Sequence, residues 1–227
     1  FTVMSRVAYL DNDLGFRDTL ELPNAVIPFS LGATLFDKNQ FEAETYLQFQ
    51  RLGMVHRGVF GVVHNTEDET GLNTGDFFFA IDGEVKNTGI YGEVEITADG
   101  TARGLSFIGG GRLEIDRRSR AVTSLGNQVG GADLDETVFL PKLGLRYYAT
   151  PDLSFGYTYS RGFRAGGTDL ALLGPPLTSE FGSETIDQHE IFARGKFLNG
   201  VLALTATGFY YVWTDAQVAG PGPHGLI

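Results

Sequence analysis

Cysteine is absent from the sequence, which excludes disulfides, thiolate metal sites and thiol nucleophiles and leaves the chain compatible with export through an oxidising compartment. Cations are scarce beside anions: 17 Lys and Arg stand against 28 Asp and Glu, a formal net charge of −11. Nucleic-acid binders need clustered cations to neutralise phosphates, so that class is excluded. Long apolar runs are missing too. No stretch approaches the roughly 20 residues that a membrane-spanning helix requires. The opening, FTVMSRVAYL, lacks the basic start, apolar middle and small-residue cleavage site of a secretory signal. If the protein is exported, its true N-terminus is expected upstream.

What is present favours strands. Gly occurs 31 times, Phe 18 times and Tyr 9 times; aromatics suit pleated surfaces, and Gly weakens helix interiors. Period-two alternation recurs along the chain. It is clearest where Leu153, Phe155, Tyr157, Tyr159 and Phe163 alternate with Ser154, Gly156, Thr158, Ser160 and Gly162. The same pattern sets Ile90, Val94 and Ile96 against Glu93 and Glu95, and Leu105, Phe107 and Leu113 against Arg112 and Glu114. It sets Phe139, Leu143 and Leu145 against Lys142 and Arg146, and Ile191, Ala193 and Phe197 against Glu190, Arg194 and Lys196. Charge keeps to one parity.

Tight-turn candidates fall at 51–53, 98–101, 150–152 and 198–200, with long polar links expected at 65–86, 116–136 and 164–184. Short turns at one end and long loops at the other are the habit of transmembrane barrels. Strands at about 1–10, 41–50, 54–64, 87–98, 102–115, 137–149, 153–163, 185–197 and 201–214 make nine. Most reach the roughly nine to eleven residues that a spanning strand needs, against about five or six in soluble proteins. The expected fold is therefore all-β: an antiparallel transmembrane β-barrel with short periplasmic turns and long extracellular loops. An odd count and the loop-like end AGPGPHGLI make the barrel incomplete and the sequence truncated, one architectural unit spanning 1–227. Aromatics near strand ends, such as Tyr147 and Tyr148 or Phe209, Tyr210, Tyr211 and Trp213, fit interfacial girdles.

On a barrel, Lys or Arg facing lipid at the midplane costs about 2 to 4 kcal/mol, so the charged parity belongs to the lumen. Glu93, Glu95, Arg112, Glu114, Lys142, Arg146, Glu190, Arg194 and Lys196 are accordingly expected to line the lumen wall, either holding a plug and guiding solute or pairing across strands. Arg164, at a strand end beside a long link, is the candidate ligand contact. Other chemistry finds little support. His56, His64, His189 and His224 lack metal-ligand spacing, and the Gly runs are neither a strand-to-helix GxGxxG nor a P-loop. No catalytic pair, metal site or cofactor is assigned, and the chain is not expected to be an enzyme.

The segment from Leu140 to Val218 resembles the later barrel strands of TonB-dependent outer-membrane receptors. One strand closes on Gly162, Phe163, Arg164, Ala165, Gly166 and Gly167, matching a Gly-Phe-Lys/Arg-x-Gly-Gly motif. After a long loop another opens on Glu184 and Thr185 and carries Glu190, and its partner ends in aromatics before an Asp-x-Gln-Val motif, Asp215 to Val218. Earlier segments match more loosely. The resemblance implies an outer-membrane active transporter importing a scarce nutrient such as a ferric siderophore. It also implies outer-membrane lipid and a periplasmic TonB-type energy-coupling protein as partners, the latter reached through an N-terminal part, and a small-molecule or metal-chelate ligand. The family's plug domain, its energy-coupling box and a final aromatic-ended strand have no match here. Two other readings stay open: a passive porin or structural outer-membrane barrel, and a soluble carbohydrate-binding β-domain.

Overall fold

The structure, a computed structural model, describes residues 1–17, 33–74, 78–97, 104–171, 177–217, 221–222 and 225–226. The turn candidate at 98–101, His224 and Val218 lie outside them. The strands of five or more residues are β1 (Thr2–Arg17), β2 (Ala33–Leu52), β3 (Val55–Asn73), β4 (Phe79–Thr97), β5 (Gly104–Ser124), β6 (Asn127–Thr150), β7 (Leu153–Arg164), β8 (Gly167–Ala171), β9 (Leu177–Phe181), β10 (Glu184–Phe197) and β11 (Leu202–Thr214), with a two-residue pairing of Pro221–Gly222 and Gly225–Leu226 beyond them. Among the described residues, nine of these pair antiparallel in one sheet, in the order β1-β2-β3-β4-β5-β6-β7-β10-β11, while β8 and β9 form a separate hairpin. The expected nine strands are thus present, each in its expected place.

Their lengths correct the expected long links. β5 has 21 residues and β6 has 24, and only Leu125 and Gly126 separate them, with φ of 49° and 79°. Positive φ at both central residues is the requirement of a type I′ hairpin turn, whose twist matches that of the strands. Residues 116–136 are therefore a continued hairpin. β3 and β4 likewise extend through most of 65–86, and 164–184 carries the β8–β9 hairpin. Along these extensions polar residues stand at both parities, as at Asp116, Arg117, Arg118, Ser119 and Arg120, so apolar alternation stops while backbone pairing continues, up to a buried cluster of Phe79, Ile81 and Val122 near the strand tips.

Register aligns the two faces across the sheet. One row joins Ile96, Phe107, Leu145, Tyr157 and Ile191; the row beside it, on the opposite face, joins Glu95, Ile108, Gly144, Thr158 and Glu190. The apolar face is the exposed one, with Phe139 at 61% and Ile191 at 62%, whereas Glu95 at 1% and Ser106 at 0% are buried on the charged face. This inverts the arrangement of a water-soluble sheet, which turns its apolar side to a core. Arg161 and Asp187 are charged residues on the apolar face, held together by two bonds of 2.7 and 2.8 Å near the far ends of β7 and β10, and Lys86 and Arg117 share that face further along their strands. Period two also divides the expected girdles: Tyr210 lies on the apolar face and Phe209, Tyr211 and Trp213 on the charged one, and Tyr147 and Tyr148 separate in the same way.

Candidate functional site

The charged face carries ion pairs from β1 to β6, some between neighbouring strands, some across β5 and some along a single strand. Arg6 meets Glu42 and, at 3.5 Å, Glu44. Glu95 lies between Arg57 at 2.7 Å and Arg146 at 3.1 Å, and Lys142 reaches Glu93 at 2.6 Å. Arg112 pairs with Glu114 two residues along the same strand. Further from the short turns, Asn87 donates to Asp116 at 3.0 Å, and Arg118 donates to Asp116 at 2.6 Å. That bond raises the Arg118 pKa above its ordinary value, against the opposing effect of burial. Lys38 and Gln40 both engage Glu67, at 2.7 and 2.6 Å.

At the outer ends this face meets the segment between β7 and β10. Arg120 Nη1 donates to the Thr168 carbonyl at 2.8 Å, and Ser183 Oγ donates to Glu136 Oε1 at 2.7 Å. Ala165 and Thr168 are buried there. The segment and the strands enclose a cavity of about 360 Å³ whose lining includes Glu67, Glu69, Arg118, Arg120, Arg164 and Gln217. A larger cavity of about 650 Å³ at the tips of β2 to β5 is lined mainly by apolar groups, among them Phe36 and Ile81, with Asp37 and Asp82 its only ionisable side chains. Convergent polar groups of both signs make the smaller cavity the better candidate for recognising a polar ligand.

The nine wall residues named from sequence all fall on the charged face. Six of them, Glu93, Glu95, Arg112, Glu114, Lys142 and Arg146, join the ion-pair network. Among the described residues Glu190 and Lys196 form no ion pair, and Arg194 lies over the Phe192 ring at 4.7 Å. Arg164 stands at the rim of the smaller cavity, 3.7 Å from Glu184, with its side chain 69% exposed. His64 bonds Thr88 and His189 bonds Tyr157, both at 2.8 Å, and no group of three His, Asp or Glu among the described residues could hold a metal ion.

Asp116, Arg118, Arg120, Glu67 and Glu69 lie in segments 116–136 and 65–86, whose polar composition at both parities hides the strands that carry them. A signal for three of them was available: Arg112, Glu114, Asp116, Arg118 and Arg120 continue one parity without a break.

A single sheet with an exposed apolar face, a charged opposite face and strands of up to 24 residues describes the wall of a membrane barrel. The profile of the family described as TonB dependent receptor-like, beta-barrel matches residues 4–226. The chain belongs to this TonB-dependent receptor family. Three solved receptors share its fold. The ferric yersiniabactin uptake receptor of Yersinia pestis superimposes with a TM-score of 0.68 at 16% identity, over 95% of this chain and 34% of its own. The alcaligin outer-membrane receptor of Bordetella pertussis gives 0.59 at 16%, covering 96% and 35%. The ferric preacinetobactin receptor of Acinetobacter baumannii gives 0.59 at 15%, covering 92% and 35%. The chain spans about a third of each receptor's length. As a TonB-dependent receptor barrel it is an outer-membrane protein, and its exposed apolar face sets aside the soluble carbohydrate-binding reading. The short turns at 53–54, 151–152 and 198–201 mark the periplasmic edge of such a barrel, and the long hairpins its outer edge.

Proposed function

We propose that this chain forms part of the wall and outer hairpins of an active importer of a scarce nutrient, a ferric siderophore being the favoured class, and that it catalyses no reaction. The charged face is the lumen wall, the cavity beneath the β7–β10 segment meets the ligand, and a periplasmic TonB-type protein supplies the energy. One observation carries this reading: the β7–β10 segment folds onto the charged face and encloses a polar cavity at the outer end, with Arg164 at its rim. A passive pore has no need of a polar cleft partly roofed by such a segment. Two of the similar receptors handle ferric complexes, ferric yersiniabactin and ferric preacinetobactin, which points to the ligand class, and their 15 to 16% identity leaves the particular ligand open.

The test is uptake of radiolabelled ferric catecholate, hydroxamate and mixed-ligand complexes by iron-limited cells whose only receptor of this kind is the complete protein. At least one complex is expected to accumulate, and accumulation should vanish in a strain without the energy-coupling protein. Arg164→Ala should raise the concentration for half-maximal uptake about tenfold, the worth of one charged hydrogen bond. Accumulation that persists without energy coupling would mean a passive channel; no accumulation of any complex would remove the siderophore class.

A further inference from the structure

Three short motifs, far apart in sequence, meet in one hydrogen-bonded knot at the outer ends of β7, β10 and β11. The backbone N–H of Gln217 donates to Glu184 Oε2 at 2.6 Å. Its side-chain Nε2 donates to two carbonyls, Ala165 at 3.0 Å and Gly182 at 2.9 Å. An amide NH₂ has two N–H donors, so both are committed. The two carbonyls lie on opposite stems of the segment that carries the β8–β9 hairpin. Glu184, buried at the start of β10, offers its other oxygen to Arg164.

The backbone is shaped for this meeting. Asp215 has φ of 54°, a left-handed conformation that short polar side chains tolerate better than most. It bends the chain just past β11, two residues before Gln217. Gly166 answers from the other side: a Cβ there would lie 2.5 Å from the Phe181 carbonyl oxygen, closer than any side chain permits. The Gly-Gly, the Glu-Thr and the Asp-x-Gln thus serve one structure. The stems approach because position 166 has no side chain, and Gln217 arrives because Asp215 turns.

We propose that Gln217 is a positioning residue, whose amide staples the two stems of the β7–β10 segment to each other and to the end of β11. It thereby holds the segment's root over the polar cavity, where Arg120 grips Thr168. That the cavity receives a nutrient rests on the transport reading above; the staple does not.

A direct test uses the complete receptor in outer membranes, with any cysteine outside these residues replaced by serine, Thr168→Cys as reporter and a water-soluble maleimide as probe; these residues themselves contain no cysteine. Thr168 is buried, so modification should be slow. Gln217→Leu, which keeps bulk and removes both donors, should accelerate it about tenfold or more, the scale expected from losing two hydrogen bonds at a locally opening segment. A second reporter, Ser154→Cys, at the periplasmic end of the same face, should keep its rate. An unchanged rate at Thr168→Cys, or faster modification at both reporters, would overturn the staple, the latter by revealing general loosening. If Gln217→Leu yields no heat-modifiable barrel, Gln217→Glu replaces it and the same outcomes apply, because a carboxylate cannot donate to the two carbonyls. Labelling requires neither ligand nor energy, so this result and the uptake result can fail independently.

Discussion

Glu95 is the sharpest case of what a single residue does in this wall. It is a carboxylate 1% exposed, and it is tolerable there because Arg57 and Arg146 flank it at 2.7 and 3.1 Å. Removing one member of a buried ion pair leaves the others uncompensated, at a cost of about 3 to 5 kcal/mol. Glu95→Gln in the complete receptor is therefore expected to lower stability by about 3 kcal/mol in urea unfolding from lipid bilayers. Arg117 provides the contrast, because its pair with Asp135 is 66% and 65% exposed. Arg117→Gln should change stability by less than about 1 kcal/mol. Similar losses from the two variants would mean that the network does not support the wall as described. At this scale the sequence is legible in part: parity alone assigns Glu95 and Arg146 to one face, whereas their meeting depends on the stagger of β4, β5 and β6. Gln217 shows the limit, since nothing in its neighbourhood announces two carbonyl partners, at Ala165 and Gly182, 52 and 35 residues away.

Strands are legible where they touch lipid and illegible where they leave it. Within the membrane β5 reads as Leu105, Phe107 and Leu113 against Ser106, Arg112 and Glu114, because hydrocarbon demands apolar side chains on one side only. Past Ile115 the same strand continues through Asp116, Arg117, Arg118, Ser119 and Arg120, polar on both sides, and a reading based on hydrophobic alternation ends it early. β5 therefore offers an internal comparison. Phe107 and Ser119 lie on the same face of one strand and are both exposed, yet only Phe107 sits in the row with Ile96 and Leu145. Phe107→Arg should destabilise the receptor by about 2 to 4 kcal/mol in a bilayer, and Ser119→Arg by about 0 to 1 kcal/mol. Equal costs at the two positions would contradict a lipid boundary between them.

Taken as a whole, the molecule is a curtain of nine paired strands whose two lateral edges, β1 and β11, have no strand partner beyond them among the described residues. An unpaired strand edge presents rows of N–H and C=O groups that cannot be left bare in hydrocarbon, where each costs several kcal/mol. Water does not rescue the arrangement, because it would have to wet a face bearing Phe139, Leu143, Ile191 and Leu204. The sheet thus requires something to pair its edges while lipid covers its apolar side. Closure with further strands into a barrel of the kind its structural relatives share would meet both needs. The 227 residues alone, refolded into detergent micelles or vesicles, should then form oligomers joined edge to edge rather than a monomer. The complete receptor should give a monomer with heat-modifiable gel mobility. Amide exchange would locate the cause, with β3 to β6 protected in both samples and β1 and β11 protected in the complete receptor. A heat-modifiable monomer from the isolated chain, with β1 and β11 equally protected, would mean that the nine strands close on themselves and that the open edges do not persist in a membrane.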